Sequence, residues 1–285
     1  MIIVTGATGA LGSATVRALL HRIPADQVGV SVRNPLAAAD LAARGVRVRH
    51  GDFADPASLG QAFANADRVL VVSGSTLGPD GVALHAAAAR AAVEAGADRV
   101  FYTAHQNTRA DSPVAFAVDH ARTESALAGI GTPWTSLRNG FYAHTVGWLI
   151  AGAVESGELL LPEDGPISWT DREDLAVADA ALVADGPVFD GPTPALTARD
   201  AVTFADVARI LSDVTGTTVR RTVIDDEEWV ARQVGHGMPE AAAQVMLGMF
   251  RGARAGEFDE VNPLLGELLN RDPLPVRVAI ERAVA

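Results

Sequence analysis

The stretch Met1-Ile-Ile-Val-Thr-Gly6-Ala-Thr-Gly9-Ala-Leu-Gly12 decides the fold of this chain. Its apolar start predicts a short buried strand, and apolar residues at helical spacing over 13–23 predict a helix. Glycines in a turn between a strand and a helix are typical of a dinucleotide-binding site. In such a site Gly6 makes the tight turn, Gly9 lets the backbone approach a pyrophosphate, and Gly12 lets the helix pack closely on the strand. The alternative is a tight turn that binds no ligand.

The start of the predicted helix gives a further physical reason for phosphate binding. Free N–H groups point out of a helix N-terminus, with the positive end of the helix dipole behind them, and both favour an anion. We therefore predict that the cofactor is bound by the residues of the turn and the first helical turn, namely Gly6, Thr8, Gly9, Ala10, Leu11 and Gly12.

The end of the second predicted strand, 28–32, selects the form of the cofactor. NAD-binding proteins often place an acidic residue there for the ribose 2′-hydroxyl, whereas an Arg accommodates a 2′-phosphate. This chain has Arg33 and no acidic residue until Asp40. The sequence therefore predicts NADP(H) in preference to NAD(H), the alternative being that Arg33 is an ordinary solvated surface residue.

Two further strand ends are predicted to line the cofactor crevice. Asp52 follows the strand at 46–50 and is expected to accept a hydrogen bond from the adenine amino group, with Phe53 packed beside the ring. Asp52 also suits the start of a turn, and Asp55 suits the cap of the next helix. The strand at 68–72 ends in three small residues that suit the crevice of a doubly wound sheet, Ser73, Gly74 and Ser75.

Strands and helices alternate as far as the sixth predicted strand, at 134–138. This order predicts a Rossmann α/β fold with a doubly wound parallel sheet. After Thr145 the regularity breaks into shorter elements. They include strands at 167–169 and 195–197 and helices with Thr170 and Thr203 as caps. We expect an NAD(P)-binding Rossmann domain at 1–144 and a smaller α/β substrate-binding lobe at 145–285, some segments of which return to the first domain.

Composition excludes several classes of function. The formal net charge of −12 argues against broad nucleic-acid binding, which favours a basic surface. All 23 basic residues are Arg, so no mechanism that needs a lysine is open. The absence of Cys excludes disulfides and thiolate chemistry, and no metal-ligand motif or Gly-x-Ser-x-Gly elbow is present. With no signal peptide and no apolar run of about 20 residues, we expect a soluble cytoplasmic protein that acts on a small molecule. The oligomeric state is left open.

Four segments resemble NmrA-like proteins, a group of atypical short-chain dehydrogenase/reductases. They are Val-Arg-Asn-Pro at 32–35, His-Ala-Arg-Thr-Glu at 120–124, Leu-Arg-Asn-Gly-Phe-Tyr at 137–142 and Trp-Thr-Asp-Arg-Glu-Asp at 169–174. The likeness runs from residue 1 to about 275 and is strongest to the bacterial NAD(P)H:quinone oxidoreductases of the second type. The resemblance implies a Rossmann fold and an NADPH-dependent reductase that transfers a hydride to a quinone or a similar conjugated small molecule.

The chain departs from the catalytic Tyr-x-x-x-Lys of the wider superfamily. Aligned on Glu124, the matching positions are Phe116 and His120. Phenylalanine transfers no proton, so the ordinary alcohol dehydrogenase mechanism is excluded. His120, which the resemblance repeats at this position, is expected to bind the nicotinamide ribose and, with an ordinary pKa near about 6.5, to serve as a catalytic proton donor. The alternative is a His bonded only to Glu124, one helical turn away.

Aromatic residues after the sixth predicted strand are predicted to hold the acceptor. Phe141 is expected beside both cofactor and substrate, and Tyr142 is expected to donate to an acceptor oxygen as a catalytic residue. Tyr142 suits an aromatic packing role equally well. Further candidates for the substrate site are Gln106, Asn107, Trp169 and Trp229. Asn139 is grouped with the cofactor-binding residues, where we expect it to order the backbone rather than to react.

Two other functions fit the same residues less well. A non-catalytic NADP(H)-binding redox sensor that binds a protein partner gains some support from Phe116, because the usual catalytic Tyr is missing. A nucleotide-sugar epimerase or dehydratase needs the missing Tyr and Lys. An aromatic-lined pocket at the nicotinamide is expected of the reductase and not of the sensor.

Overall fold

The computed structural model describes residues 1–285 and contains nine strands. These are β1 (Ile2–Thr5), β2 (Val28–Val32), β3 (Arg47–His50), β4 (Arg68–Val71), β5 (Arg99–His105), β6 (Trp134–Asn139), β7 (Glu158–Leu161), β8 (Gly191–Pro192) and β9 (Arg220–Val223). Seven of them form one parallel sheet in the order β3-β2-β1-β4-β5-β6-β8. Strands β7 and β9 pair separately, also in parallel.

Thirteen α-helices connect the strands or follow them. They are α1 (Ala10–Leu19), α2 (Ala39–Ala43), α3 (Pro56–Phe63), α4 (Gly78–Glu94), α5 (Ala115–Leu127), α6 (Thr145–Leu149), α7 (Ala153–Ser156), α8 (Arg172–Ala184), α9 (Phe204–Thr215), α10 (Asp226–Gly235), α11 (Glu240–Arg254), α12 (Leu264–Leu269) and α13 (Val276–Val284). Short 3-10 helices precede β2 and α2, at Ala25–Gln27 and Pro35–Ala38. None of these helices has both the length and the apolar composition that a membrane span requires.

The strand order confirms the predicted Rossmann α/β fold. Strand β1 pairs with β2 on one side and with β4 on the other, so the direction of winding reverses between β1 and β4. In open parallel sheets, ligands bind outside the carboxyl ends of the strands at this reversal. The glycine turn that follows β1 lies at that point of the topology.

The sheet is stabilised by burial on both faces. All four residues of β1 are buried, which is typical of a parallel strand covered by helices on both sides. Helix α4 covers one face with alanines, and Ala88, Ala89 and Ala92 are fully buried against Ile3 and Val69 of the strands. Because alanine side chains are short, the helix lies close to the sheet.

The chain divides into two compact units, and neither is continuous in sequence. The N-terminal unit comprises Met1–Ala110, Phe116–Asn139 and Glu173–Leu196, and the C-terminal unit comprises Asp111–Ala115, Gly140–Arg172 and Thr197–Ala285. The chain passes from the N-terminal to the C-terminal unit after Ala110, after Asn139 and after Leu196. The division into 1–144 and 145–285 stays a prediction. Most of α8 belongs to the N-terminal unit.

The short elements beyond residue 145 differ most from the predictions. Ile167 makes only a single antiparallel bridge to Val202, and the segment at 195–197 contributes a single bridge from Leu196 to Asn139. Thr170 is not a helix cap, because its hydroxyl donates to the Ser168 carbonyl at 2.8 Å and accepts from a backbone N–H. The prediction for Thr203 is confirmed, since it forms a capping box at the start of α9.

Candidate dinucleotide-binding and active site

The glycine turn after β1 has the geometry that the sequence predicts. Gly6 has a φ of +61°, a left-handed conformation that favours glycine. The Gly9 N–H donates to the Gly6 carbonyl at 2.9 Å and closes the turn. A Cβ atom on Gly12 would lie 2.3 Å from the same carbonyl oxygen, so any side chain there would displace the turn. The close packing of helix on turn therefore requires glycine at position 12.

The N-terminus of α1 is open to an anion. The helix begins at Ala10, and its N-cap, Gly9, has no side chain to satisfy the first N–H groups. The first turn of the helix contains no acidic residue, and Thr8, Gly9 and Ala10 are exposed. Exposed N–H donors at a helix start form a phosphate-binding site. These residues fit the pyrophosphate of a dinucleotide.

Arg33 follows β2 as an exposed cation with a fixed backbone. Its carbonyl oxygen lies 3.0 Å from Nδ1 of His50, at the end of the neighbouring strand. Asn34 accepts a hydrogen bond from the Leu36 N–H at 3.1 Å, which turns the chain into the 3-10 helix. The Arg33 guanidinium makes no ion pair with another residue of the chain. The group is therefore free to pair with an external anion such as a phosphate.

Asp52 and Phe53 follow β3. The Asp52 carboxylate accepts from the Ala54 N–H at 3.0 Å, so Asp52 does begin a turn. Asp55 occupies the N-cap position of α3, but its side chain makes no capping bond, and the expectation that it caps the helix is wrong. Its carbonyl instead accepts the Ser58 hydroxyl at 2.6 Å. The role of Asp52 toward adenine stays a prediction.

Two threonine hydroxyls accept hydrogen bonds from the backbone of the segment that follows β4. The Val72 N–H donates to Oγ1 of Thr5 at 2.9 Å, and the Ser73 N–H donates to Oγ1 of Thr103 at 2.8 Å. Thr5 ends β1 and Thr103 lies in β5, so both neighbours of β4 hold this segment. The exposed Gly74 follows, and its N–H donates to Nε2 of His85 at 2.9 Å. Ser73 and Gly74 thus lie at the carboxyl edge of the sheet, as predicted; Ser75 is exposed beyond them.

His120 is bound by Tyr102 and not by its own helix. Its Nδ1 lies 2.7 Å from the hydroxyl of Tyr102, a buried residue of β5. The alternative partner, Glu124, instead accepts two hydrogen bonds from Arg138, at 3.1 and 2.8 Å. The interpretation of His120 as a residue bonded only to its helix neighbour is therefore wrong. Phe116, at the position of the superfamily tyrosine, packs against the ring of His105.

Burial keeps the histidines of this region neutral. Desolvation and, to a lesser extent, the nearby His85 lower the pKa of His120 to about 3. Burial likewise lowers the pKa of His85 to about 4 and that of His105 to about 3. The expectation of an ordinary pKa for His120 is wrong, because burial of most of its imidazole disfavours the charged form. At neutral pH it has no imidazolium proton to transfer, but it still carries one N–H.

Asn139 ends β6 in a buried polar pair. Its Nδ2 donates to Oδ2 of Asp179 on α8 at 3.0 Å, and its carbonyl accepts from the Gln106 N–H at 2.9 Å. Burial raises the pKa of Asp179 to about 7, although the hydrogen bond from Asn139 opposes this shift. Asn139 therefore orders the ends of β5 and β6, as expected. Asp179 was not predicted, since nothing local in the sequence links it to Asn139.

The predicted substrate residues of the C-terminal unit form an aromatic cluster. The Phe141 ring meets Trp169 and Phe258 edge to face, at centroid distances of 5.2 and 5.0 Å. Trp169 is almost fully buried, and Tyr142 is half-buried with its ring beside His144, at 5.7 Å. The structure thus brings Phe141 and Trp169 together, and it adds Phe258 and His144, which the sequence did not indicate.

Three other candidates do not belong to that cluster. Trp229 is buried against Phe250 at the α10–α11 packing, which makes it a core residue of the C-terminal unit. Gln106 and Asn107 follow β5 in the N-terminal unit, where the Gln106 side chain is buried. The structure gathers no group of three or more His, Asp or Glu side chains that fits a metal ion.

Comparison with known proteins places this site in a family. The sequence profile of the NmrA-like family matches residues 1–282. The chain belongs to the NmrA-like family. Its match extends over both units of this NmrA-like protein, so it does not rest on the glycine turn alone.

Relatives found by sequence and by structure resemble this NmrA-like protein over almost its whole length. Quinone oxidoreductase 2 of Escherichia coli K12 is 32% identical over 268 residues, 93% of this chain and 92% of that protein. The E. coli NADPH-dependent quinone oxidoreductase QOR2, complexed with NADPH, superposes with a TM-score of 0.94 at 29% identity, covering 100% of both chains. Triphenylmethane reductase of Citrobacter sp., complexed with NADP(H), superposes with a TM-score of 0.92 at 31% identity, covering 99% of this chain and 100% of that one. An NAD(P)H azoreductase of Xenophilus azovorans is 32% identical over 273 residues, 93% of each chain.

Proposed function

We propose that this NmrA-like protein is an NADPH-dependent reductase that transfers a hydride to a quinone or a similar conjugated, electron-poor small molecule. The observation that carries the proposal is a dinucleotide-binding turn combined with Phe116 and a neutral His120 where related enzymes have a Tyr and a Lys. Such a site has no general acid for an alcohol or ketone. A quinone does not need a general acid from the enzyme, because hydride transfer to it leaves a stabilised anion that solvent can protonate.

The chain is an NAD(P)H-dependent oxidoreductase, and its substrate is a small molecule. Three of the relatives that support this conclusion are described with both a reductase activity and a nicotinamide cofactor: QOR2, the azoreductase and triphenylmethane reductase. Their named acceptors differ, being quinones, azo compounds and triphenylmethane dyes. All are conjugated molecules that can accept a hydride, which supports an acceptor of this class for the present chain.

A preference for NADPH over NADH is part of the proposal. The exposed guanidinium of Arg33, which has no partner in the chain, supports binding of a 2′-phosphate. No acidic residue stands at the end of β2 to accept a ribose 2′-hydroxyl. The N-terminus of α1 would bind the pyrophosphate of either cofactor, so Arg33 is the residue on which the preference depends.

The residues of this chain bind and orient, while the bound cofactor supplies the hydride from its nicotinamide ring. We propose that His120 donates to the nicotinamide ribose and thereby fixes the position of the ring. We propose that Tyr142 donates a hydrogen bond to an oxygen of the acceptor, where negative charge develops. Phe141, which follows β6 directly along the chain, would present an aromatic surface to the acceptor, with Trp169 behind it.

The proposal is tested by NADPH oxidation with a panel of benzoquinones and naphthoquinones, with NADH assayed in parallel. We expect saturable oxidation that depends on the quinone and favours NADPH. Tyr142→Phe should lower kcat by about 100-fold, the usual cost of one transition-state hydrogen bond, without weakening NADPH binding. Tight NADPH binding with no turnover of any quinone, azo compound or dye would contradict the proposal and favour a redox sensor that binds a protein partner.

A further inference from the structure

A line of hydrogen bonds crosses the interior of the N-terminal unit and ends on His120. The Gly74 N–H donates to Nε2 of His85 at 2.9 Å. Nδ1 of the same ring lies 3.4 Å from the Tyr102 hydroxyl, and that hydroxyl lies 2.7 Å from Nδ1 of His120. The four groups come from the end of β4, from α4, from β5 and from α5. No local sequence pattern links them.

The first bond fixes the direction of all the others. A peptide N–H can only donate, so Nε2 of His85 must accept. A neutral imidazole with an accepting Nε2 carries its hydrogen on Nδ1, and this N–H donates to the Tyr102 oxygen. The Tyr102 O–H is then directed to Nδ1 of His120, which accepts. The single hydrogen of a neutral His120 must therefore be on Nε2.

The charged and titratable groups around the line are compatible with this arrangement. Asp119 faces His85 from α5, but one of its carboxylate oxygens accepts the Gly78 N–H at 2.6 Å. Glu124 is paired with Arg138, and His105 is neutral because it is buried. Burial raises the pKa of Tyr102, so its hydroxyl keeps its proton. Thr123 lies near the Tyr102 oxygen as well, but its own hydroxyl hydrogen goes to the Asp119 carbonyl at 3.0 Å.

We propose that His85 and Tyr102 are positioning residues that hold His120 in the neutral tautomer with its proton on Nε2. His120 then offers a fixed N–H donor to its ligand, and the identity of that ligand as the nicotinamide ribose rests on the proposed function. The line is not a route for protons. It ends at a peptide N–H, which releases no proton, so nothing replaces a proton lost from His120. The line sets the orientation of a donor and nothing more.

The direct test is the tautomer of His120 in the intact protein, measured by NMR of the protein labelled with ¹⁵N-histidine. We expect a pyrrole-type signal for Nε2 and a pyridine-type signal for Nδ1 of His120, over the whole range from pH 5 to pH 9. His120→Gln identifies the signals, and the exposed His21 and His236 serve as internal references. A pyrrole-type Nδ1 in the unmodified protein would overturn the proposal.

Variants of the two positioning residues supply the second test. Tyr102→Phe removes the donor to Nδ1, so we expect His120 to become a mixture of tautomers and to begin to titrate above pH 5. His85→Asn keeps an N–H near the position of Nδ1 and should preserve the tautomer, whereas His85→Ala should not. NADPH affinity should fall about fivefold in Tyr102→Phe and His85→Ala, the effect of one ordinary hydrogen bond. Unchanged His120 signals in a folded Tyr102→Phe variant would contradict the role of Tyr102.

The tautomer is measured without a quinone or any other electron acceptor. The NMR result is therefore independent of whether the protein reduces quinones. If quinones are not reduced but the Nε2–H tautomer is found, the positioning role stands and the reductase does not. If quinones are reduced and His120 carries its proton on Nδ1, the reductase stands and the positioning role fails.

Discussion

The Arg138 guanidinium binds both carboxylate oxygens of Glu124, with Nε 3.1 Å from Oε1 and Nη2 2.8 Å from Oε2. Arg138 lies in β6 and Glu124 in α5, so this two-point contact fixes the rotation of the helix relative to the sheet. His120 lies one helical turn before Glu124. The contact therefore helps to fix the position of His120 on α5. Because the guanidinium is planar and binds both carboxylate oxygens, its geometry matters as much as its charge.

Arg138→Lys is expected to lower the free energy of unfolding by about 1–3 kcal/mol, because an ammonium group cannot make both bonds and leaves a buried carboxylate oxygen unpaired. Urea unfolding measures the change. Arg17→Lys is the matched control: Arg17 also contacts both oxygens of a carboxylate, Glu173, but both side chains are more than half exposed. Equal effects of the two substitutions would show that the burial of Glu124 does not matter.

Gly12→Ala is expected to weaken NADPH binding by at least tenfold, since the added methyl group would lie 2.3 Å from the Gly6 carbonyl and force the turn open. Gly60→Ala provides the control. Gly60 is exposed within α3 with no atom within 4 Å of the added methyl group, so this substitution should stabilise the protein by about 0.5–1 kcal/mol and leave binding unchanged. Titration calorimetry measures the NADPH affinity of both variants. Wild-type affinity in a folded Gly12→Ala variant would be incompatible with the tight turn.

Arg33→Ala is expected to raise the KM for NADPH by about 10–100-fold, the equivalent of one or two charge-assisted hydrogen bonds to a phosphate. The KM for NADH should change less than threefold, because NADH has no 2′-phosphate. Arg90→Ala removes an exposed arginine from α4 and is the control for the loss of one positive charge. An equal rise in the KM for NADPH and for NADH would indicate that Arg33 binds a part of the dinucleotide that both cofactors share.

Asp179→Asn is expected to stabilise the protein more at pH 8 than at pH 5. The pKa of Asp179 is raised to about 7 from an ordinary 3.8, so between these values the unfolded chain releases a proton that the folded protein keeps. Wild-type stability therefore falls as the pH rises through this window, by roughly 1 kcal/mol per pH unit. An Asn does not titrate, and its oxygen can still accept from Asn139. Urea unfolding at both pH values measures the difference; a pH-independent effect would mean that Asp179 is ionised throughout.

The features that could be predicted from the sequence are those with a local signal. Strand β2 has the predicted bounds, because an apolar run is contained in a few consecutive residues. Strand β8 has only two residues, Gly191 and Pro192, and gives no alternation to detect. The cofactor turn was predicted for the same reason as β2, since its three glycines are close together in the sequence.

The partners of the site residues could not be predicted. Tyr102 and His120 lie 18 residues apart, and Asn139 and Asp179 lie 40 apart, in elements that become neighbours only when the sheet forms. The pKa of His120 follows from the same long-range packing. Its residue type suggested a proton donor, whereas burial among β5 and α5 side chains leaves it a neutral N–H donor.

Strand β8 has a consequence for how copies of this protein can associate. As the last strand of the sheet it offers only Gly191 and Pro192, and a proline has no N–H for an incoming strand. At the opposite edge, β3 carries Arg47 and Arg49, whose guanidinium groups bind backbone carbonyls near the end of α3. A charged margin on one side and a proline on the other both discourage strand addition. Self-assembly by strand addition to the seven-stranded sheet is therefore disfavoured at both of its edges.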